Sequence, residues 1–303
     1  MTVVAGASYT EAAHVVVSND MVNVAEVDLR YKFASADFLS SDTIGSPMGL
    51  VLFNGGGGGE TMVVSGVTGS SLTGDLLISN TQFRASCTPG SSSITYGPST
   101  GVISTVTSTY TPMTLVPKTV KVVAAPSGSI CASPSLAGQA GTSKKIAIYG
   151  SGFSAGTTVS FGAGITTKSV AVLSSTRLNA TIDTSSAAVV GTRNITVTRA
   201  NGSSKTCTAC FTVDTKPVPT SLDVSTLARG ASVTTSLRAA GVVHGVTVSV
   251  AGGGVTATVT GVIPGRADLT LTATASAAAG PRTLTVTNPD GGSGTCTNCL
   301  TVS

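Results

Sequence analysis

The chain repeats itself at a distance of 89 residues, and this constrains its folding more than any other feature. Gly191-Thr-Arg193-Asn-Ile-Thr-Val-Thr198 returns as Gly280-Pro-Arg282-Thr-Leu-Thr-Val-Thr287. Thr206-Cys207-Thr-Ala-Cys210-Phe-Thr-Val213 returns as Thr295-Cys296-Thr-Asn-Cys299-Leu-Thr-Val302. The same offset relates Gly156 to Gly245, Gly152 to Gly241 and Gly141 to Gly230. One match of this kind is chance; a fixed register from Gly141 to Val213 indicates a duplicated domain. The two copies occupy 125–214 and 215–303, which leaves 1–124 as a region of another kind.

Within each copy apolar and polar residues alternate. Lys145-Ile-Ala-Ile-Tyr149, Thr157-Thr-Val-Ser-Phe161, Ser169-Val-Ala-Val-Leu173, Arg177-Leu-Asn-Ala-Thr-Ile182 and Asn194-Ile-Thr-Val-Thr198 do so in the first. Val246-Thr-Val-Ser-Val250, Leu269-Thr-Leu-Thr-Ala273 and Thr283-Leu-Thr-Val-Thr287 do so in the second. Short, β-branched, period-two segments separated by glycine turns predict strands with one buried face, packed as a β-sandwich. Asn201-Gly202 and Asp290-Gly291 tolerate the left-handed backbone of tight turns, so the last two strands of each copy are predicted to form a hairpin.

The residues also carry a family likeness. Ile146-Ala-Ile-Tyr-Gly150-Ser-Gly-Phe153-Ser-Ala-Gly156-Thr-Thr-Val-Ser-Phe161 resembles the opening of IPT/TIG domains, and Asn194-Ile-Thr-Val-Thr198 with Asn201-Gly202 resembles their close. The second copy keeps the closing part, Val286-Thr-Asn-Pro-Asp-Gly291, but has Gly241-Val-Val-His-Gly245 where the opening Gly-Phe would stand. The resemblance implies an immunoglobulin-like sandwich for each copy and implies no activity, because fold alone does not supply function.

Residues 1–124 lack the repeat. Glu11-Ala-Ala-His-Val-Val-Val17 fits either a short helix or a strand; Val22–Leu29, Gly49–Phe53, Thr61–Ser65, Asp75–Ser79 and Val102–Val106 read as strands. The five glycines Gly55 to Gly59 precede Glu60-Thr-Met rather than the Lys-Ser/Thr of a phosphate loop, so they are expected to link two strands. Pro112, Pro117 and Pro126 mark an exposed passage into the first repeat.

Only 10% of the residues are charged, two are histidine and none is tryptophan. An average soluble domain has roughly 25% charged residues, and acid–base and metal chemistry draw mainly on His, Asp and Glu. Neither His14 nor His244 lies in a nucleophile signature. The expectation is a chain with no catalytic residues, no cofactor and no metal. Asp290-Gly-Gly-Ser-Gly294 lacks the acidic ladder of a calcium loop and reads as a hairpin turn. Residues 1–126 carry 5 basic and 8 acidic side chains, a net −3; residues 127–303 carry 12 and 5, a net +7. The positive charges are scattered, which argues against a nucleic-acid partner. No apolar run reaches the ~18 residues of a membrane helix, so no membrane partner is expected. The start, Met1-Thr-Val-Val-Ala-Gly6, has no basic segment of a secretory signal.

Six cysteines are present: Cys87, Cys131 and the pairs Cys207/Cys210 and Cys296/Cys299. Two C-x-x-C pairs could hold zinc, but each sits in a different repeat at the equivalent place. A local disulfide within each pair is the favoured expectation. It requires a bend, because residues three apart in an extended strand stand roughly 10 Å apart. Each pair is expected to open the closing strand of its repeat. Cys87 and Cys131 either pair or stay buried and reduced. Disulfides fit an oxidising, extracellular end state.

The fold expected is all-β: a β-rich anchoring domain over 1–124 followed by immunoglobulin-like sandwiches over 125–214 and 215–303. Such repeats on a β-rich assembly domain, without a secretory signal, resemble structural proteins of tailed-bacteriophage virions. That resemblance implies a non-enzymatic homo-oligomer at the virion surface, made in the host cytoplasm. It is expected to act as a capsid decoration protein gripping the capsid lattice, with a weak contact to host-surface carbohydrate. A tail-tube protein with C-terminal immunoglobulin-like domains and a bacterial cell-surface adhesin are the alternatives. A carbohydrate-active accessory module is disfavoured by the 4% aromatic content.

Overall fold

The computed structural model describes the backbone of residues 1–31, 36–42, 49–57, 60–66, 72–96, 101–104, 110–112 and 118–303, and, before residue 118, the side chains of 1–14, 16, 74–91, 93–95 and 102. The chain is all-β, built of strands and turns among the described residues. Contacts divide it into two compact units, Met1–Pro126 and Ser127–Ser303.

The first unit holds β1 (Thr2–Val4), β2 (Ser8–Tyr31), β3 (Ala36–Asp42), β4 (Gly49–Gly57), β5 (Glu60–Gly66), β6 (Leu72–Ala85), β7 (Gly90–Tyr96), β8 (Gly101–Ser104), β9 (Tyr110–Pro112) and β10 (Lys118–Val123). They form one sheet whose spine is β2, antiparallel along different parts of its length to β5, β6, β7 and β8. The Glu11–Val17 stretch is strand: its Val15-Val16-Val17 run suits a ladder, and β6 pairs with it. Gly55, Gly56 and Gly57 continue β4, while Gly58 and Gly59 lie outside the described residues, as does Pro117. Leu76, Ile78, Phe83 and Ala85 of β6 are buried, with Val120 and Val122 of β10. Tyr9 stacks on Phe83 at 5.6 Å between ring centroids. Burial, with the nearby Glu11 charge, pushes the Tyr9 hydroxyl up to about 12. Buried Glu11 is matched by Lys118, Nζ to Oε2 2.8 Å, which offsets the cost of burying its charge.

The second unit contains both repeats. Repeat 1 holds β11 (Cys131–Ser133), β12 (Leu136–Gly138), β13 (Lys144–Tyr149), β14 (Thr158–Ser160), β15 (Ile165–Ser174), β16 (Arg177–Thr184), β17 (Gly191–Thr198) and β18 (Ser204–Asp214). Repeat 2 holds β19 (Val218–Leu222), β20 (Thr226–Leu227), β21 (Ser232–Ala240), β22 (Thr247–Val250), β23 (Val255–Ile263), β24 (Arg266–Ala273), β25 (Gly280–Thr287) and β26 (Ser293–Val302). Each is a sandwich of two four-stranded sheets with one topology: β11-β13-β16-β15 over β12-β18-β17-β14, and β19-β21-β24-β23 over β20-β26-β25-β22. The opening segment serves both sheets, antiparallel to β13 and then parallel to β18 in repeat 1. This is a tandem of immunoglobulin-like sandwiches.

Behind the front strands, much of the two cores corresponds at the 89 offset. Ile148, Ile182, Ile195, Val197 and Phe211 are matched by Leu237, Leu271, Leu284, Val286 and Leu300, all buried. Phe211 meets Phe161 edge-on, centroids 4.9 Å apart; repeat 2 fills the equivalent space with aliphatic side chains.

The constant offset does not hold at the front of the repeat. β12 pairs Leu136 with Thr212, and β20 pairs Thr226 with Thr301, which is an offset of 90 on the first strand. Gly141 therefore corresponds to Ala231 rather than to Gly230, and Gly230 (φ 75°) corresponds to Ala140 (φ 57°). The loop before β13 holds one residue more than the loop before β21, and the offset returns to 89 where Ile146 and Thr235 pair with Ala180 and Leu269.

Candidate functional site

Within the second unit, the hairpin turn of repeat 2 is seated on the loop after β12 of repeat 1. The Gly138 amide donates to the Asp290 carbonyl at 3.2 Å, and the Ser293 amide to the Gln139 carbonyl at 3.2 Å. Ser293 Oγ donates to the Ala140 carbonyl at 3.0 Å, and Lys144 Nζ to the Pro289 carbonyl at 3.0 Å. Gln139 braces this loop from its own side: its Nε2 donates to the Ala188 carbonyl of repeat 1 at 2.6 Å, and its Oε1 accepts from the Lys216 amide of the linker at 3.4 Å. Asn288 fixes the other side of the turn, donating from Nδ2 to the Gly241 carbonyl at 2.8 Å.

Glycine makes this approach possible. A Cβ on Gly138 would overlap Gly292, and a Cβ on Gly292 would lie 3.0 Å from Gly138 Cα. A Cβ on Gly141 would lie 3.1 Å from the Gly291 carbonyl oxygen, and one on Gly294 would overlap the Pro217 carbonyl in the linker. Their equivalents elsewhere in the tandem are Ala228 for Gly138, Ala231 for Gly141, Ser203 for Gly292 and Lys205 for Gly294. The four glycines serve this joint and are not part of the repeat.

Asp290 sits at its centre. The side chain is 7% exposed and accepts from the Gly292 amide at 2.8 Å. Burial pushes its carboxyl up, against the pull of the Gly292 amide and the Lys144 ammonium. Its equivalent, Asn201, makes the same turn contact to the Ser203 amide at 3.0 Å but is exposed. Asp290-Gly-Gly-Ser-Gly294 forms the hairpin turn expected from its residues, and its second role in the joint shows only where the copies differ.

The four cysteines singled out in the sequence form two short clasps. Cys207 and Cys210 are joined with Cα atoms 5.8 Å apart, Cys296 and Cys299 with Cα atoms 5.6 Å apart. The bend comes from a bulge: in repeat 1 the β17–β18 ladder passes from Arg193↔Phe211 directly to Ile195↔Cys207, and repeat 2 shifts at the same place. Ala209 (φ 51°) and Asn298 (φ 55°) take the left-handed backbone that turns the chain. Asn194 Oδ1 accepts from the Ala209 amide at 2.9 Å. The clasps thus lie inside β18 and β26 and do not open those strands as expected, because the ladder resumes on both sides of the bulge. Non-reducing peptide mapping is expected to recover Cys207–Cys210 and Cys296–Cys299 as links within single peptides; free thiols at these positions in the mature protein would remove the clasps from the account. Cys87 and Cys131 are both buried, and neither is a free thiol, so the reduced alternative does not hold.

His14 Nδ1 stands 2.9 Å from Asp75 on an exposed part of the first unit, and His244 lies in the turn before β22. Among the described residues no three His, Cys, Asp or Glu side chains are grouped to hold a metal ion.

No protein-family model matches the chain, and no curated protein matches it. Among solved structures it is similar to the I9–I11 tandem of titin, with 12% identity and a TM-score of 0.28, over 100% of this chain and 96% of that one. A cohesin module from a Clostridium perfringens family 33 glycoside hydrolase matches 41% of this chain and 91% of its own length, with 11% identity and a TM-score of 0.37. A non-cellulosomal cohesin from the hyperthermophilic archaeon Archaeoglobus fulgidus matches 40% of this chain and 85% of its own length, with 12% identity and a TM-score of 0.32.

Proposed function

We propose that this chain is a non-enzymatic structural protein of a virion surface. Residues 1–126 anchor it in the particle, and two TIG-like sandwiches project from it as a stiff arm, in the manner of a capsid decoration protein. The observation that carries this reading is the joint. Four glycines, a buried carboxylate and hydrogen bonds between the repeats fix the angle between two sandwiches. A stiff arm suits display and spacing. Tandem domains that bind independently through separate faces need only a flexible linker. The sign change of charge, from a net −3 before residue 127 to a net +7 after it, supports the same division between anchoring and projection. Partners on this reading are other copies of the chain and the capsid lattice.

The test is assembly with and without the arm. Deleting 127–303 is expected to leave particle assembly intact and to shorten only the surface projection seen by electron microscopy. Particles that fail to form would make the sandwiches part of the assembly machinery and overturn the division. Six-fold stacked rings from the purified chain would move it to a tail tube.

A further inference from the structure

We infer that β23 is a pairing edge at which two copies of this chain join their sheets. β23 is the terminal strand of the sheet β19-β21-β24-β23. Sheet edges are usually guarded, by shortness, charge, proline or bulges, because an open edge invites another strand. The other edges of the second unit are guarded. β11, β12 and β14 have three residues each, β20 two and β22 four, and β19 carries Pro219.

β15, the equivalent of β23 in repeat 1, is long but doubly protected. Its ladder with β16 shifts at Thr167/Ser169 and at Val172/Ser174, and the first shift leaves Lys168 as an extra residue on the edge. Lys168 is half exposed and paired to Asp183 at 3.1 Å. Repeat 2 has lost both members of this guard. Ala257 and Thr258 follow each other where Thr167 and Ser169 are separated by the lysine, and Thr272 replaces Asp183. The first five residues of β23, Val255–Val259, remain with no charge, no proline and no bulge, ahead of the strand's own register shift at Val259/Gly261.

The occupant is a second copy because the strand is its own complement. Val255-Thr-Ala-Thr-Val259 reads the same in both directions and precedes the register shift at Val259/Gly261. An antiparallel pair related by a two-fold axis through Ala257 sets Val255 against Val259, Thr256 against Thr258 and Ala257 against itself. Val255 is buried, and Ala257 and Val259 pack against the core of repeat 2, so that face continues both cores. Thr256 and Thr258 are exposed, so the other face forms Thr–Thr pairs, which stabilise antiparallel ladders. The two-fold contact brings no like charges together and gives closed, isologous symmetry. It holds for the chain wherever it resides.

The register makes the test specific. In the full-length protein, Thr256→Cys and Thr258→Cys variants are each expected to cross-link poorly alone under mild oxidation and efficiently when mixed, because residue 256 faces residue 258 of the other copy. A Thr256→Lys/Thr258→Lys variant, altered only at exposed positions, is expected to weaken β23-dependent association at least tenfold in sedimentation while keeping its melting temperature. Cross-linking of the mixture no better than that of Thr256→Cys with Thr234→Cys, an exposed site on β21, would overturn the inference. So would unchanged association of the lysine variant. A cross-link in a chain that builds no particle keeps this inference and removes the virion reading; particles without the cross-link do the reverse.

Discussion

Replacing Gly138 with alanine is expected to free the two sandwiches from one another while leaving each folded. The nearest atoms to a Cβ at Gly138 all belong to repeat 2, namely Gly292 and Asp290. The closest clashes of the methyl group are thus with repeat 2, and alanine costs less backbone entropy than glycine in a strand by roughly 0.5–1 kcal/mol. The joint has no room for the methyl group. Seating the turn would require displacing Gly292, and with it the bonds from Gly138, Ser293 and Lys144 across the seam. At about 0.5–1.5 kcal/mol net for each hydrogen bond, the loss is of the order of the whole interaction. The measurement is 15N relaxation on residues 127–303. The parent is expected to tumble as one body with a single anisotropic correlation time, and the variant as two domains with shorter, separate times. A variant that still tumbles as one body would show that the joint is not held at this contact.

Phe211→Ala is expected to carry the largest loss of stability in the tandem. The ring is fully buried and meets Phe161 edge-on at 4.9 Å, so two of the largest core side chains of repeat 1 depend on one contact. Large-to-small replacement of a buried phenylalanine costs about 3–5 kcal/mol, a large share of the roughly 5–15 kcal/mol that holds a domain folded. Phe211→Leu is expected to cost far less, since repeat 2 is built on Leu300 at that position. Calorimetry checks both: the alanine variant should lower the transition of repeat 1 and leave that of repeat 2 in place. An alanine variant within about 1 kcal/mol of the parent would mean that the core is not organised around the ring pair.

What the sequence made legible was local or periodic. The alternation in Ile146–Ile148 and Leu269–Leu271 marks one buried face, and these residues line the two cores. Asn201-Gly202 and Asp290-Gly291 predict hairpins because turn chemistry is written in adjacent residues. The need for a bend at Cys207–Cys210 follows from strand geometry alone, and the bulge with Ala209 supplies it. Other features depended on contacts distant in sequence. Val15–Val17 shows no alternation, and its pairing with β6 decides its state. The match of Gly141 to Gly230 failed because a one-residue insertion nearby placed two unrelated glycines at the same offset. The joint was hidden for a further reason. Reading a repeat rewards what is shared, and the joint is built from Gly138, Gly141, Gly292 and Gly294, which have no glycine at their equivalent positions.

The privacy of those glycines separates two properties of the tandem that would otherwise travel together. Copying either repeat end to end yields another sandwich, because the core residues are common to both. It yields no seam, because Ala228, Ala231, Ser203 and Lys205 stand where the seam needs bare backbone. Length can thus grow by duplication in a single genetic event. Stiffness has to be acquired afterwards, by substitutions on both sides of each new boundary, and it stays with the particular pair that acquired it.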